Sequence, residues 1–219
     1  MNYTDRTCRE FVDITASGAP VPGGGSVAAL AGALGASLGA MVAHLTEEKI
    51  KDPEDREELA ASIREIHKVK DELLDLVQKD IDNFEPLSKL YSMKSDDPAE
   101  KKKIKEAKQA ALRNACRGPI EIMIQCGRAI ELARDFASKG SKVIVSDAGC
   151  SAVLCKAAMQ AASLNVYINT NMMKDTELAA RINSECAQRL VYYGALADSV
   201  FGKTTNTLMS RKTETGETI

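Results

Sequence analysis

The chain has 219 residues, 44% of them apolar and 27% charged, which suits one soluble domain able to bury a sizeable core. A formal charge of −2 and the lack of tryptophan leave neither a basic footprint nor a stacking platform, so no nucleic-acid partner is expected. The six cysteines (Cys8, Cys116, Cys126, Cys150, Cys155 and Cys186) form no CxxC pair and no zinc-like spacing with the two histidines. They read as small buried thiols, and no metal site is expected. Asp5, Arg6, Arg9, Glu10 and Asp13 leave no room for a signal peptide's apolar core, so a reducing, cytoplasmic setting is expected.

Thr4 to Ala16 reads as a short helix with Phe11 and Val12 turned inward. Pro20-Val21-Pro22-Gly23-Gly24-Gly25-Ser26 follows, an irregular loop in which Ser26 can cap the next helix. Free backbone N–H groups at such a helix start suit an anionic or polar ligand group. The uncharged segment Val27 to Leu45 is long enough to span a bilayer. Its alanines and glycines, Ser37 and His44, and the missing aromatic belt favour a central helix, with no membrane partner. Leu30, Leu34, Leu38, Met41 and Leu45 share one face. Gly32, Gly35 and Gly39 share the opposite face, which admits another backbone closely, within the subunit or across a dimer contact.

Asp52-Pro53-Glu54-Asp55 opens a long helix with an N-cap, a proline in the first turn and acids near the positive end of the dipole. Its inward stripe is Leu59, Ile63, Ile66, Leu73, Val77 and Phe84, and Pro86 is expected to break or bend it. Asp97-Pro98-Ala99-Glu100 repeats the start signal, opening a basic helix that turns apolar near Ala110 and bends near Gly118-Pro119. The lysines at 101 to 103 and Lys105 read as a solvated face that can also attract a polyanionic tail. Ser138 to Asp147 reads as a connection containing the β-like run Val143-Ile144-Val145. Ser146 or Asp147 then caps a helix from Ala148 to about Asn171, and another helix follows Asp175. The expected fold class is all-α: a single-domain helical bundle over residues 1–202, with a buried Ala/Gly-rich central helix and long antiparallel helices. Residues 203–219 are expected to form a polar, mobile tail.

Two polar placements stand out. Leu73, Val77, Asp80 and Phe84 lie at i, i+4, i+7 and i+11, so Asp80 sits within an apolar stripe, while Asp75 and Asp82 project from the opposite face. A carboxylate there needs a partner, a cleft or a ligand, and desolvation would raise its pKa toward the range of a general acid or base. A salt bridge from Arg113 or Arg128 is the plainer alternative. In the second, Asp147, Ser151, Ala158, Ala162, Asn165 and Asn169 share one helix face, small in the middle and polar at its ends. The asparagines can meet a heterocycle's hydrogen-bonding edge or lock two helices together. His44 can reach the same cleft or act as a structural residue, and His67 lies at the edge of the long helix's inward stripe.

In this order and spacing, Pro22 to Leu30, Asp80 to Phe84, Val145-Ser146-Asp147-Ala148-Gly149 and Leu164-Asn165-Val166-Tyr167-Ile168-Asn169 carry a resemblance. The chain resembles the cyclodeaminase/cyclohydrolase family, which includes the C-terminal domain of formiminotransferase-cyclodeaminase, from Arg9 to about Leu190. It differs from the family's usual pattern at His44, where Asn is common, and at Met93-Lys94, where a Pro-Lys pair is common. The resemblance implies an all-α, dimeric enzyme with a tetrahydrofolate derivative as substrate and no tightly bound cofactor. The reaction expected first is release of ammonia from 5-formiminotetrahydrofolate to give 5,10-methenyltetrahydrofolate. The alternative is interconversion of the latter with 10-formyltetrahydrofolate, and a non-catalytic helical dimerisation module is a further one. The family's catalytic aspartate falls on Asp80. Gly23, Gly24, Gly25 and Ser26 are assigned to a site wall, Asp147, Asn165 and Asn169 to the pterin edge, His44 to the same cleft, and Lys94 to a substrate glutamate tail that can be polymeric.

Overall fold

The computed structural model describes residues 2–139 and 144–210. After a single 3-10 turn at Tyr3–Asp5 come α1 (Cys8–Thr15), α2 (Gly24–Glu47), α3 (Pro53–Ser92), α4 (Pro98–Ala115), α5 (Arg117–Lys139), α6 (Val145–Thr170) and α7 (Thr176–Met209). No strand occurs among the described residues, so the chain is an all-α bundle. Ile144 forms a turn and Val145 begins α6, in place of the β-like run; Val143 lies outside the described residues.

The caps show why the helices start where they do. Thr7 and Glu10 exchange bonds in a capping box at α1, and Asp52 accepts from the Glu54 and Asp55 amides ahead of α3. Asp97 and Asp175 do the same for α4 and α7. α6 differs from expectation. It begins at Val145 with no side-chain cap, so Asp147 is a residue of its first turn. Pro86 does not end α3, which continues to Ser92. Pro86 is exposed, so the carbonyl deprived of its bond lies on a side open to water. Phe11 turns inward as expected, but Val12 points to solvent at 63% exposure.

α2 is the centre of the bundle, and its small residues explain its neighbours. A Cβ on Gly35 would meet the Cys155 sulfur at 2.6 Å and the Ser151 carbonyl oxygen at 3.1 Å. One on Gly32 would meet the Cys126 sulfur at 2.8 Å. The glycine face therefore serves packing within the subunit, against α5 and α6. Gly24 lies against Asn165 and Gly39 against Ser151, so α2 and α6 run antiparallel. Gly25 against Asp80 and Gly39 against Ile66 give the same relation between α2 and α3. The opposite face of α2 is the exposed one, with Leu34 at 57%.

α2 is the one described helix long and apolar enough to cross a membrane, with 61% of its most apolar 18-residue window buried inside the protein. Leu59, Ile66, Leu73, Val77, Ile122, Met123, Ile130, Phe136 and Met159 fill the core around it. α7 continues past the boundary expected at Lys203, because buried Thr204 packs on Gly149 of α6. Residues 211–219 of the expected tail lie outside the described residues. Cys116, Cys126, Cys155 and Cys186 are buried, while Cys8 and Cys150 are exposed. Burial pushes the Cys155 thiol up to about 12 and that of Cys116 to about 11, which keeps both as unreactive thiols.

Candidate active site

A cleft of ≈ 490 Å³ opens where the N-terminal end of α2, the middle of α3, the α4–α5 junction and the C-terminal half of α6 converge. Pro20, Val21, Gly23, Gly24 and Gly25 form one wall, Asn165, Ile168 and Asn169 another, and Asp80 lies between them with Phe84 and Tyr91. Most of the lining is apolar. A largely apolar concavity with a few converging polar groups is the usual form of a small-molecule site.

Asp80 reaches this floor because glycine lets it. A Cβ on Gly25 would meet the carboxylate carbon at 2.6 Å, and one on Gly118 would meet the Asp80 Cα at 3.3 Å. Backbones on two sides therefore close upon one carboxylate. Ser26 Oγ donates to Asp80 Oδ2 at 3.0 Å, and the Ser26 backbone N–H adds a second bond. That amide is one of the unpaired donors in the first turn of α2, where the helix dipole also favours negative charge. Burial is the larger influence and raises the Asp80 pKa above the ordinary carboxylate value, while the two Ser26 bonds pull it back.

Neither arginine considered as a partner reaches Asp80. Arg128 is bidentate with Glu65 and also bonds Glu131, and Arg113 is exposed. The carboxylate is thus held by uncharged donors in a cleft, a setting suited to proton transfer.

Of the two roles open to the asparagines, the one seen here is helix locking, at Asn169. Asn165 Nδ2 donates to the Ala161 carbonyl at 2.9 Å, and Asn169 Nδ2 donates to the carbonyls of Asn165 at 2.8 Å and Ala115 at 3.4 Å. The amide groups are spent on backbone, and Asn169 ties α6 to the end of α4. Their oxygens are left as acceptors at the cleft wall. Gly24 permits this approach, since a Cβ there would meet Asn165 Nδ2 at 3.0 Å.

Other expected site residues fall elsewhere. Ser26 is fully buried behind the wall, and its hydroxyl orients Asp80 instead of facing a ligand. The N-cap position expected for Ser26 belongs to Gly23. Asp147 and His44 do not line the cleft. Each lies about 27–29 Å along its helix from Asn165 and Gly25 respectively, at 1.5 Å per residue. His44 is exposed at the far end of α2 and bonds His67. Lys94 is exposed in the α3–α4 connection and does not line the cleft.

Sequence reasoning missed Tyr91, Ala115, Pro119, Ile168 and Met172, which complete the lining. Tyr91 hydroxyl lies 3.4 Å from the Met172 sulfur, with Lys108 Nζ 5.9 Å from the ring centroid, so one aromatic joins the cleft to the basic helix α4. Its signal was slight: a tyrosine in a chain with 4% aromatics.

The family model described as formiminotransferase-cyclodeaminase matches residues 7–188. The chain is 32% identical over 197 residues to the methenyltetrahydrofolate cyclohydrolase of Methylorubrum extorquens, covering 90% of this chain and 95% of the relative. It is 28% identical over 181 residues to the formimidoyltransferase-cyclodeaminase of Gallus gallus, covering 83% of this chain but 33% of that protein's length. The solved structure of formiminotetrahydrofolate cyclodeaminase from Thermotoga maritima superposes with a TM-score of 0.76 at 25% identity, covering 94% of this chain and 96% of that one. With the match running from α1 into α7, the chain belongs to the formiminotransferase-cyclodeaminase family of folate one-carbon enzymes.

Proposed function

We propose that the protein is a methenyltetrahydrofolate cyclohydrolase, with Asp80 as the group that moves protons at the carbon bridging N5 and N10. The observation that carries this reading is a carboxylate of raised pKa at the floor of an apolar cleft, oriented by Ser26. Likeness to a cyclohydrolase along nearly its whole length supports the choice of reaction.

In the forward direction the substrate's amidinium carbon is already electrophilic. Ionised Asp80 takes a proton from water as the oxygen bonds to that carbon, giving a tetrahedral adduct. Protonated Asp80 then returns the proton to N5 as the carbon–N5 bond breaks. The adduct's hydroxyl loses its proton as the carbonyl forms, leaving 10-formyltetrahydrofolate and one proton released. Holding the reacting groups together supplies much of the rate. The Asn165 and Asn169 oxygens accept from N–H groups of the pterin edge, the Gly23 to Gly25 backbone forms the wall, and Lys108, near the Tyr91 ring, meets a glutamate tail.

The reaction expected first from sequence, cyclodeamination, uses the same groups. N10 attacks the formimino carbon, Asp80 accepts the N10 proton and passes it to the departing ammonia. Likeness to the Thermotoga maritima and Gallus gallus proteins favours this second reading. Purified protein offered each substrate separately, with methenyl absorbance followed beside ammonia release, tells them apart. Methenyl loss without any formimino-dependent ammonia supports the cyclohydrolase. Ammonia release without methenyl hydrolysis contradicts it.

A homodimer in the cytoplasm is part of the same proposal. α2 carries no Asp, Glu, Lys or Arg between Gly24 and Thr46 and leaves Leu34 57% exposed, and Leu164 of α6 is 68% exposed. An uncharged, partly exposed helix face of this kind suits an interaction surface. Sedimentation at the monomer mass would contradict the dimer. Fractionation placing the protein outside the cytoplasm would contradict the location.

A further inference from the structure

Beyond Asp80 the cleft runs on along α3, where Asp80, Phe84, Leu87 and Tyr91 continue one stripe at i, i+4, i+7 and i+11. Leu87 is buried in the core, while Phe84 and Tyr91 line the cleft. α3 and α6 both run antiparallel to α2, so they run parallel to each other and end at the same mouth. There the Tyr91 hydroxyl donates to Met172 Sδ at 3.4 Å. Met172 lies in the turn just after α6, and one side chain of α4 fixes that turn. Gln109 Nε2 donates to the Met172 carbonyl at 3.2 Å, and Gln109 Oε1 accepts from the Lys174 backbone N–H at 2.7 Å.

A thioether is a weak acceptor, so a carbonyl oxygen placed at the Tyr91 hydroxyl takes the bond over. Burial raises the Tyr91 pKa above the ordinary tyrosine value, which keeps the phenol a donor. Its distance from the reacting end matters as well. Gly24 lies against Asn165 and Gly25 against Asp80, so these two residues are level within one residue's rise. Met172 follows seven residues after Asn165, which sets the Tyr91–Met172 pair about 12 Å beyond Asp80. Ordinary bond lengths put an aroyl amide oxygen about 7 Å from the carbon bridging N5 and N10. A near-attack contact of about 3.5 Å at Asp80 and a hydrogen bond of about 2.8 Å at Tyr91 let such an arm span the interval.

We propose that Tyr91 is a specificity-determining residue whose hydroxyl donates to the carbonyl of the substrate's aroyl amide, and that Gln109 is the positioning residue that holds the α6–α7 turn behind it. The proposal rests on the folate reading and serves either folate reaction, since the arm beyond N10 is the same in both. The arm's aryl ring passes Phe84, one turn from Asp80, and its amide arrives where Met172 now accepts. Lys108 Nζ, 5.9 Å from the Tyr91 ring centroid, steadies the ring and faces the carboxylates beyond the amide.

The test is equilibrium titration of the full chain with two truncated ligands. One is the N-methylamide of 5-formyltetrahydropteroate, which keeps the aroyl amide, and the other its analogue ending in an unsubstituted phenyl ring. Neither carries a glutamate, so Lys108 has no carboxylate to meet, and 5-formyltetrahydrofolate is the control for the folate reading. The parent should bind the amide about tenfold more tightly than the phenyl analogue, and Tyr91→Phe should bind the two alike. Gln109→Ala should lose most of that preference. In the parent's folate reaction its KM should rise severalfold with kcat within about twofold. Added to Tyr91→Phe, it should cause no further loss. Equal binding of both ligands by the parent, or a preference retained in Tyr91→Phe, overturns the Tyr91 assignment. An unchanged preference and KM in Gln109→Ala overturns the positioning role. A parent that does not bind 5-formyltetrahydrofolate removes the folate reading on which both rest.

Discussion

At the N-terminal end of α2, Gly24 and Gly25 draw Asn165 and Asp80 in from two other helices, and a cleft remains in front of them. At the C-terminal end, His44 meets His67 on an open surface with water around it. The same helix thus presents polar partners at both ends, yet only one end desolvates them. Where small residues bring neighbours close, burial raises the Asp80 pKa against the pull of two hydrogen bonds. A polar side chain becomes reactive through what its neighbours exclude.

Breaking the N-terminal end at its reacting group should have the largest effect. Asp80→Asn keeps an acceptor for Ser26 but cannot carry a proton. Turnover should fall by about 10²–10⁴-fold while folate affinity changes little, as read by steady-state rates and equilibrium titration. Retained turnover would remove Asp80 from the chemistry. Gly25→Ala comes next. Its Cβ would push the carboxylate from the cleft floor, and kcat should fall by about 100-fold, since small displacements of a reacting group are costly. A Gly25→Ala enzyme of normal kcat would show that the close approach is not needed.

Smaller effects should follow at the wall. Asn165→Ala and Asn169→Ala each remove one acceptor, and titration should show folate binding weakened by about tenfold, near 1.4 kcal/mol. Unchanged affinity in both would dismiss the pterin assignment. The smallest effect belongs to the other end of the helix. His44→Asn should leave kcat/KM within about twofold, because the imidazole lies nearly the length of α2 from the cleft. A large loss there would erase the contrast between the two ends.

Asp80 was legible in the sequence because an acid in an apolar stripe needs an explanation wherever the helix lies. The glycine face of α2 was legible for the same reason, as a contact that only small residues permit. Asp147 was misplaced because a helical wheel shows which face a residue occupies and discards distance along the axis. Ser26 was read as a cap because its partner is 54 positions away, beyond the reach of local pattern. Tyr91 lies in the last turn of α3 and Met172 in the turn just after α6, where only the assembled bundle decides what meets. Pro86 was read as breaking or bending α3; it does not break it, because its exposed position leaves the freed carbonyl to water.

The most direct test of Asp80 as the proton-transfer group is the pH dependence of kcat/KM for methenyl hydrolysis, in the parent and in Ser26→Ala. The forward reaction begins with ionised Asp80, so the rate should rise with pH through a pKa above the ordinary carboxylate value. Ser26 bonds lower that pKa, so losing the hydroxyl should move the rise to higher pH. A rise at the same pH in both proteins would contradict the assignment.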